Sequence, residues 1–255
     1  MRDSGGLRIS HHLHLRAETC SETLVEELAE FGPDDRVGIV SLMDHTPGQR
    51  QFTDISKFEA YVCGKYAMDA EGFGEYVQFL HGLHDQFGKA HEEATVAAAK
   101  RFGAVLASHD DTTADQVATS AAYGIHLAEF PTTIAAALAN HAHGIANIMG
   151  GPNLVRGGSH SGNVAAMELA QNGLLDIISS DYVPSSLLLG AVMLGNEWGN
   201  MAKGLHTVTA APAKYTNLED RGRLQVGLQA DLIRFRLTED VPALRAVWHK
   251  GVRAA

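Results

Sequence analysis

Cysteine is scarce. Cys20 and Cys63 are the only two in 255 residues, too few for a disulfide framework and in keeping with a reducing compartment, the cytoplasm. Long apolar runs are missing too. No segment is apolar enough to span a bilayer, and the opening MRDSGGLRIS lacks the apolar core of a signal peptide. Positive charge is outnumbered, 20 Lys and Arg against 30 Asp and Glu, for a net charge of −10. That balance argues against a nucleic-acid partner. An anionic small molecule would have to be held by local donors or a metal, not by the field of the whole chain. The chain shows no repeat and no low-complexity segment. What it does have is a 45% hydrophobic content, enough for the core of a large α/β domain, and 14 histidines.

Residues 9–18 (ISHHLHLRAE) alternate. His12, His14, Arg16 and Glu18 share one parity, and Leu13, Leu15 and Ala17 the other. Such a strand turns its polar side either to water or to the mouth of a barrel. Residues 36–43 (RVGIVSLM) and 104–108 (AVLAS) are nearly all apolar, as strands covered on both faces are. They end at Asp44-His45 and at His109-Asp110-Asp111. A further short strand is predicted at 125–128, which ends at Glu129, and 145–149 is a short apolar run leading into 152–184. Helices are predicted at 22–31, at 113–123 closed by Gly124, at 134–143 closed by Gly144, and over much of 185–205. The stretch 51–100 is long for a connection, and 71–100 reads as one long helix or two, the kind of excursion that makes a lid or an interface. His81, His84 and His91 on it read as a solvated face. His126, His141 and His143 read as structural or solvated. Three strands, at 221–226, 230–237 and 244–252, are expected near the end, broken by Gly227 and the turn Thr238-Glu239-Asp240.

The densest chemistry lies in 152–184. RGGSHSGN (156–163) is rich in glycine and hydrogen-bond donors. Helical spacing follows at 164–172, and a short apolar strand at 174–180 ends at Asp181. A donor loop beside a strand-end carboxylate suits an anion site next to a metal or base; a plain turn and a helix cap is the other reading. Strand after strand ends in a ligand-type side chain. Core packing explains that poorly, because buried His, Asp and Glu need partners. His with carboxylate is the donor set of zinc, manganese or iron.

DHTPGQRQF (44–52), ASHDDTT (107–113), AEFPTT (128–133), PNLVRGGSHSGN (152–163) and LDIISSDYVPSSLL (175–188) together resemble the PhnM family, a phosphonate-pathway branch of the amidohydrolase superfamily. The tail 208–235 resembles the superfamily's usual close. The resemblance implies an α/β fold: strands four to eight of a TIM (β/α)8 barrel over 1–206, then strands of a small β-sandwich over 207–255. It implies a divalent metal, zinc before manganese or iron. The ligands would be Glu18, His45, His109 and Asp181, with Asp181 also the base for the attacking water. Arg156, Ser159, His160 and Ser161 would hold phosphate oxygens, with Arg50 and Lys65 as further anion partners. The implied reaction is hydrolysis of α-D-ribose 1-methylphosphonate 5-triphosphate to the 5-phosphate and pyrophosphate, a small-molecule activity with no nucleic-acid or membrane partner. A family member should open with half of the sandwich and three earlier barrel strands, the first ending in His-x-Asp. This chain opens at the fourth, so a fragment, or a second chain that supplies the missing strands, is expected; a homo-oligomer is a separate expectation. Deamination or cyclic-amide hydrolysis on the same metal face, and an inactive remnant, are the alternatives.

Overall fold

Strands of three to seven residues, all but the alternating first largely apolar and each followed by a helix, build the architecture. In the computed structural model, which describes residue 4 and residues 6–159 and 162–255, they are β1 (Leu13–Glu18), β2 (Val37–Met43), β3 (Val105–His109), β4 (Leu127–Glu129), β5 (Ala146–Gly150) and β6 (Ile177–Ser179). They form one sheet in sequence order, and the pairings β1–β2, β2–β3, β3–β4 and β5–β6 are parallel. The expected α/β class therefore holds as a six-stranded parallel sheet. Among the described residues closure into a barrel is not seen. Two compact units divide the chain: Leu13–Asn147 with Ser159–Val164, and Met1–His12 with Ile148–Gly158 and Ala165–Ala255.

The first unit carries β1 to β4 with helices α1 (Leu24–Ala29), α2 (Ile55–Tyr66), α3 (Ala70–Phe102), α4 (Ala114–Ala122) and α5 (Ile134–Ala142). Its register sorts the side chains by face. Ala17 pairs with Leu42, Val40 with Leu106, and Ser108 with Ala128. This row packs on Leu24, Leu28, Ala98, Ala99, Val117 and Ala136 of the helices. Each fully buried Val or Leu there contributes roughly 1.5–3 kcal/mol. The opposite parity carries His14, Arg16, Glu18, Ser41, His109 and Glu129.

Helix starts follow their caps. Thr113 and Thr133 accept the N–H of Gln116 and Ala136, and Asp54 and Asp69 do the same for α2 and α3. The excursion resolves into α2, which the apolar spacing did not single out, and a 33-residue α3. Phe52, Phe58, Val62 and Phe73 give these helices a small core of their own. Among the described residues no helix is long and apolar enough to cross a membrane.

The second unit holds most of β5 and all of β6. Its helices are α6 (Gly151–Arg156), α7 (Ala166–Gln171), α8 (Ser186–Glu197), α9 (Met201–His206) and α10 (Ala210–Tyr215). α8 and α9 meet backbone to backbone at Gly204, where a Cβ would lie 2.3 Å from the Ala191 carbonyl oxygen. An antiparallel sheet of β7 (Leu232–Thr238), β8 (Val241–His249) and β9 (Val252–Arg253) follows. Glu239 and Asp240 both take positive φ at its first hairpin, as a type I′ turn requires. The strand expected at 221–226 is absent. Gly222 turns the chain at φ 92°, and Leu224 and Val226 stand in solvent, so the run has no sheet to join.

Candidate metal centre

Four neighbouring strand ends place their last polar side chains together. His109 ends β3 and is paired in register with Glu129 of β4. Its Nδ1 lies 3.1 Å from Glu129 Oε2, and Ser41 Oγ donates to the same oxygen at 2.7 Å. Its Nε2 lies 3.2 Å from Arg16 Nη2. A guanidinium can only donate, so Nε2 carries the lone pair and Nδ1 the proton directed to Glu129. A carboxylate behind a histidine is the usual way of aiming a metal-ligating imidazole. Burial pushes the Glu129 carboxyl up. The bond from His109, the nearby His14 and the Ser41 hydroxyl outweigh it and hold Glu129 below the ordinary range.

His45, two residues past β2, is held likewise. Its Nδ1 lies 2.5 Å from Glu18 Oε2, and its backbone N–H donates to Glu18 Oε1 at 3.2 Å. Its Nε2 faces Asp110 Oδ2 at 3.7 Å, and the His109 Nε2 faces the same oxygen at 3.4 Å. Burial disfavours the imidazolium, but the Asp110 and Glu18 carboxylates prevail and lift His45 to about 9.

Asp110 is the centre of this arrangement. It is 4% exposed, and its Oδ2 is buried without a hydrogen-bond partner. The two imidazole nitrogens that face it make no hydrogen bond to it, and a buried carboxylate oxygen without one is costly. One ligand atom from each of His45, His109 and Asp110 lies within 4.8 Å of the others. Two aimed imidazoles around an orphaned carboxylate oxygen fit a divalent cation of the zinc, manganese or iron kind. The backbone is strained at the same place: Asp110 has φ 55° and Phe130, just past β4, φ 56°.

The other candidates fall as follows. Arg50 Nη1 donates to Asp111 Oδ1 at 2.7 Å and to the His109 carbonyl at 3.0 Å. Lys65 is exposed on α2, its ammonium over the rings of Tyr61 and Tyr66. Ser159 is half-buried in the first unit. Arg156 and Asp181 belong to the second unit. Arg156 donates to the Gly158 carbonyl and to the Tyr182 hydroxyl beside Asp181, and Asp181 is exposed with φ 48°. His160 and Ser161 lie outside the described residues. Asp110 and Glu129 were legible as strand-end carboxylates, but their attachment to His109 depends on register. His84 and His91 do not form a solvated face. His84 Nδ1 is 3.2 Å from Asp44 Oδ2, and His91 is buried with Nδ1 3.0 Å from the Thr19 carbonyl.

A parallel α/β sheet whose strand ends gather histidines and carboxylates is the architecture of a β/α protein with a candidate metal site at the C-terminal ends of its strands. The comparisons narrow it: residues 82–254 match the amidohydrolase family model, and the chain belongs to that family. Over 249 residues, 96% of its length, it is 42% identical to the alpha-D-ribose 1-methylphosphonate 5-triphosphate diphosphatase of Escherichia coli (strain K12), and it spans 66% of that relative. A crystal structure of an uncharacterized protein shares the fold with TM-score 0.56 at 17% identity, over 90% of this chain and 58% of that one. A 5-methylcytosine deaminase from Klebsiella pneumoniae gives TM-score 0.49 at 14% identity, over 96% and 71% of the two chains.

Proposed function

We propose that this chain is a metal-dependent phosphoanhydride hydrolase whose substrate is α-D-ribose 1-methylphosphonate 5-triphosphate, cleaved to the 5-phosphate and pyrophosphate. One observation carries the reading: the buried, unpartnered Asp110 oxygen between His45 and His109, in a chain 42% identical to a diphosphatase of that name. His45, His109 and Asp110 would hold the cation, zinc before manganese or iron, with Glu18 and Glu129 aiming the imidazoles. A divalent ion there supplies Lewis acidity and counter-charge for phosphoryl oxygens.

The remaining work falls to side chains. Asp181 acts as the base that takes the proton of the attacking water. The 156–161 loop, with Arg156, Ser159, His160 and Ser161, receives phosphate oxygens through cationic and N–H donors. Arg50 and Lys65 add positive charge. A net charge of −10 makes such local donors necessary. We place the enzyme in the cytoplasm, as a homo-oligomer, with 207–255 as an appendage of the α/β part.

The test is pyrophosphate release from the ribose triphosphate by the full chain with added zinc or manganese. Release should need the metal, vanish with chelator and vanish in His109→Ala. Arg156→Ala should raise KM for phosphorylated substrates. Failure of the metal-loaded chain to release pyrophosphate refutes the proposal. Ammonia release from a cyclic amidine by the same preparation would move the reading to deamination.

A further inference from the structure

We propose that Cys20, Asp44 and His84 form a second cation site, built for a thiophilic divalent ion such as zinc. None of its ligand atoms belongs to the His45–His109–Asp110 cluster, and it does not rest on the diphosphatase reading. The same two strand ends serve both. β1 runs into Glu18 for the first and Cys20 for the second, and β2 runs into His45 for the first and Asp44 for the second. The third ligand, His84, comes from the middle of α3.

Distances support the assignment. Cys20 Sγ is 3.2 Å from Asp44 Oδ1 and 3.6 Å from His84 Nδ1, and His84 Nδ1 is 3.2 Å from Asp44 Oδ2. Tetrahedral zinc, with bonds of about 2.3 Å to sulfur and about 2.0–2.1 Å to nitrogen or oxygen, sets its ligand atoms about 3.3–3.6 Å apart. The sulfur–imidazole separation falls in that range, and the Asp44 carboxylate lies close to it on both edges, through Oδ1 toward sulfur and Oδ2 toward the imidazole. One ligand atom from each residue lies within 4.8 Å of the others.

The group converges on sulfur: Asp44 Oδ1, Thr46 Oγ1 at 3.1 Å and His84 Nδ1 all approach Cys20 Sγ. The Asp44 carboxylate is oriented from behind, as a ligating carboxylate is: the Thr46 N–H donates to Oδ1 at 3.0 Å and Gln49 Nε2 to Oδ2 at 2.7 Å. Gly88, one turn past His84, leaves room for the imidazole, since a Cβ there would lie 3.3 Å from His84 Nδ1. Thiolate, imidazole and carboxylate together select zinc over magnesium, calcium or manganese. On binding, the Sγ–H bond breaks, its proton leaves to solvent, and a sulfur–metal bond forms. The ion would pin the long α3 to the loops after β1 and β2.

Cobalt(II) reads this site without any activity assay, because only a thiolate ligand gives cobalt a near-ultraviolet charge-transfer band, and the first cluster has no cysteine. The full chain is stripped with chelator and titrated with cobalt, then with zinc in competition. The band should appear in the wild type and be displaced by zinc. It should persist in Cys63→Ser and His45→Ala, and be lost in Cys20→Ser and His84→Ala. His84 is half-exposed, so His84→Ala keeps the variant set informative should a Cys20 change disturb packing. A wild-type chain without the band, or a band that survives in Cys20→Ser, overturns the proposal.

Discussion

Arg50→Ala should be among the most destabilising single changes in the first unit. Arg50 Nη1 donates to Asp111 Oδ1 at 2.7 Å, and Asp111 is 0% exposed. Its other oxygen has the Ser120 hydroxyl at 3.3 Å. Removing the guanidinium leaves a carboxylate inside the protein with one long neutral bond. Breaking a buried pair from one side costs about 3–5 kcal/mol, out of the roughly 5–15 kcal/mol that a domain has. Asp111→Asn on the same background removes the stranded charge and leaves only a buried amide, a cost of about 1–3 kcal/mol. The double variant should therefore be more stable than Arg50→Ala alone. Urea unfolding followed by far-UV circular dichroism measures both, and the double-mutant cycle yields the coupling. A loss below about 1 kcal/mol for the single change, the worth of an exposed pair, would refute the reasoning. So would a double variant weaker than the single. Because Asp111 follows Asp110, the single change should also weaken metal retention.

Asp110→Asn should lower metal affinity by more than the roughly 10–100-fold typical of a supporting residue, and should also weaken the chelated chain near neutral pH, since the Asp110 carboxylate is one of the two that hold His45 charged. Equilibrium dialysis and urea titration check the two halves. In the metal-free chain His45 titrates near 9 rather than 6.5. Its stabilisation should be whole below about 6.5 and fade as pH rises through about 9, by no more than about 3 kcal/mol. Unfolding of the chelated chain at the two ends of that window, with His45→Asn as the flat control, tests it. Thr133→Ala removes the cap of α5, whose Oγ1 accepts the Ala136 N–H at 3.0 Å and donates to the Thr112 carbonyl at 2.8 Å. It should cost about 1–2 kcal/mol by urea unfolding.

Much of the first unit was legible because local signals agreed there. The parity expected over 9–18 holds from His14 onward: Leu15 and Ala17 face the core and His14, Arg16 and Glu18 face away from it, whereas Leu13, ahead of a register shift, is exposed. Thr113 and Thr133 marked helix starts, and buried runs marked β2 and β3. Short amphipathic pieces were not legible. α2 was missed because Gln51 to Tyr66 mixes charge and aromatics with no clean stripe, and its stability comes from docking Phe58 and Val62 on Phe73. The strand expected at 221–226 had the right composition and no neighbour to bond to. At the site, His45 and His109 could be read from their places after apolar runs. The centring of Asp110 could not, because it depends on a positive φ just past β3 that turns the carboxylate inward. His84 was misread since charged neighbours on α3 imitate a wet face, while its partners Cys20 and Asp44 lie 64 and 40 residues away (84 less 20, 84 less 44).

The site and the core are one specification. In a strand the side-chain period is two, so the register that buries Val40, Leu42, Leu106 and Ala128 under α1, α3, α4 and α5 also sends Ser41, His109 and Glu129 to the other face. A slip of one residue in β3 would bury His109 among leucines and expose Leu106, at a cost of burial on one side and of unsatisfied imidazole on the other. The apolar row therefore fixes the cation ligands without touching them. The exception supports the rule. Ser108 sits on the apolar row and its Oγ is buried without a partner, one polar group the row carries unpaired. Substituting it by alanine should leave the site intact and the fold no weaker, whereas polar changes at Val40 or Leu106 should degrade both together.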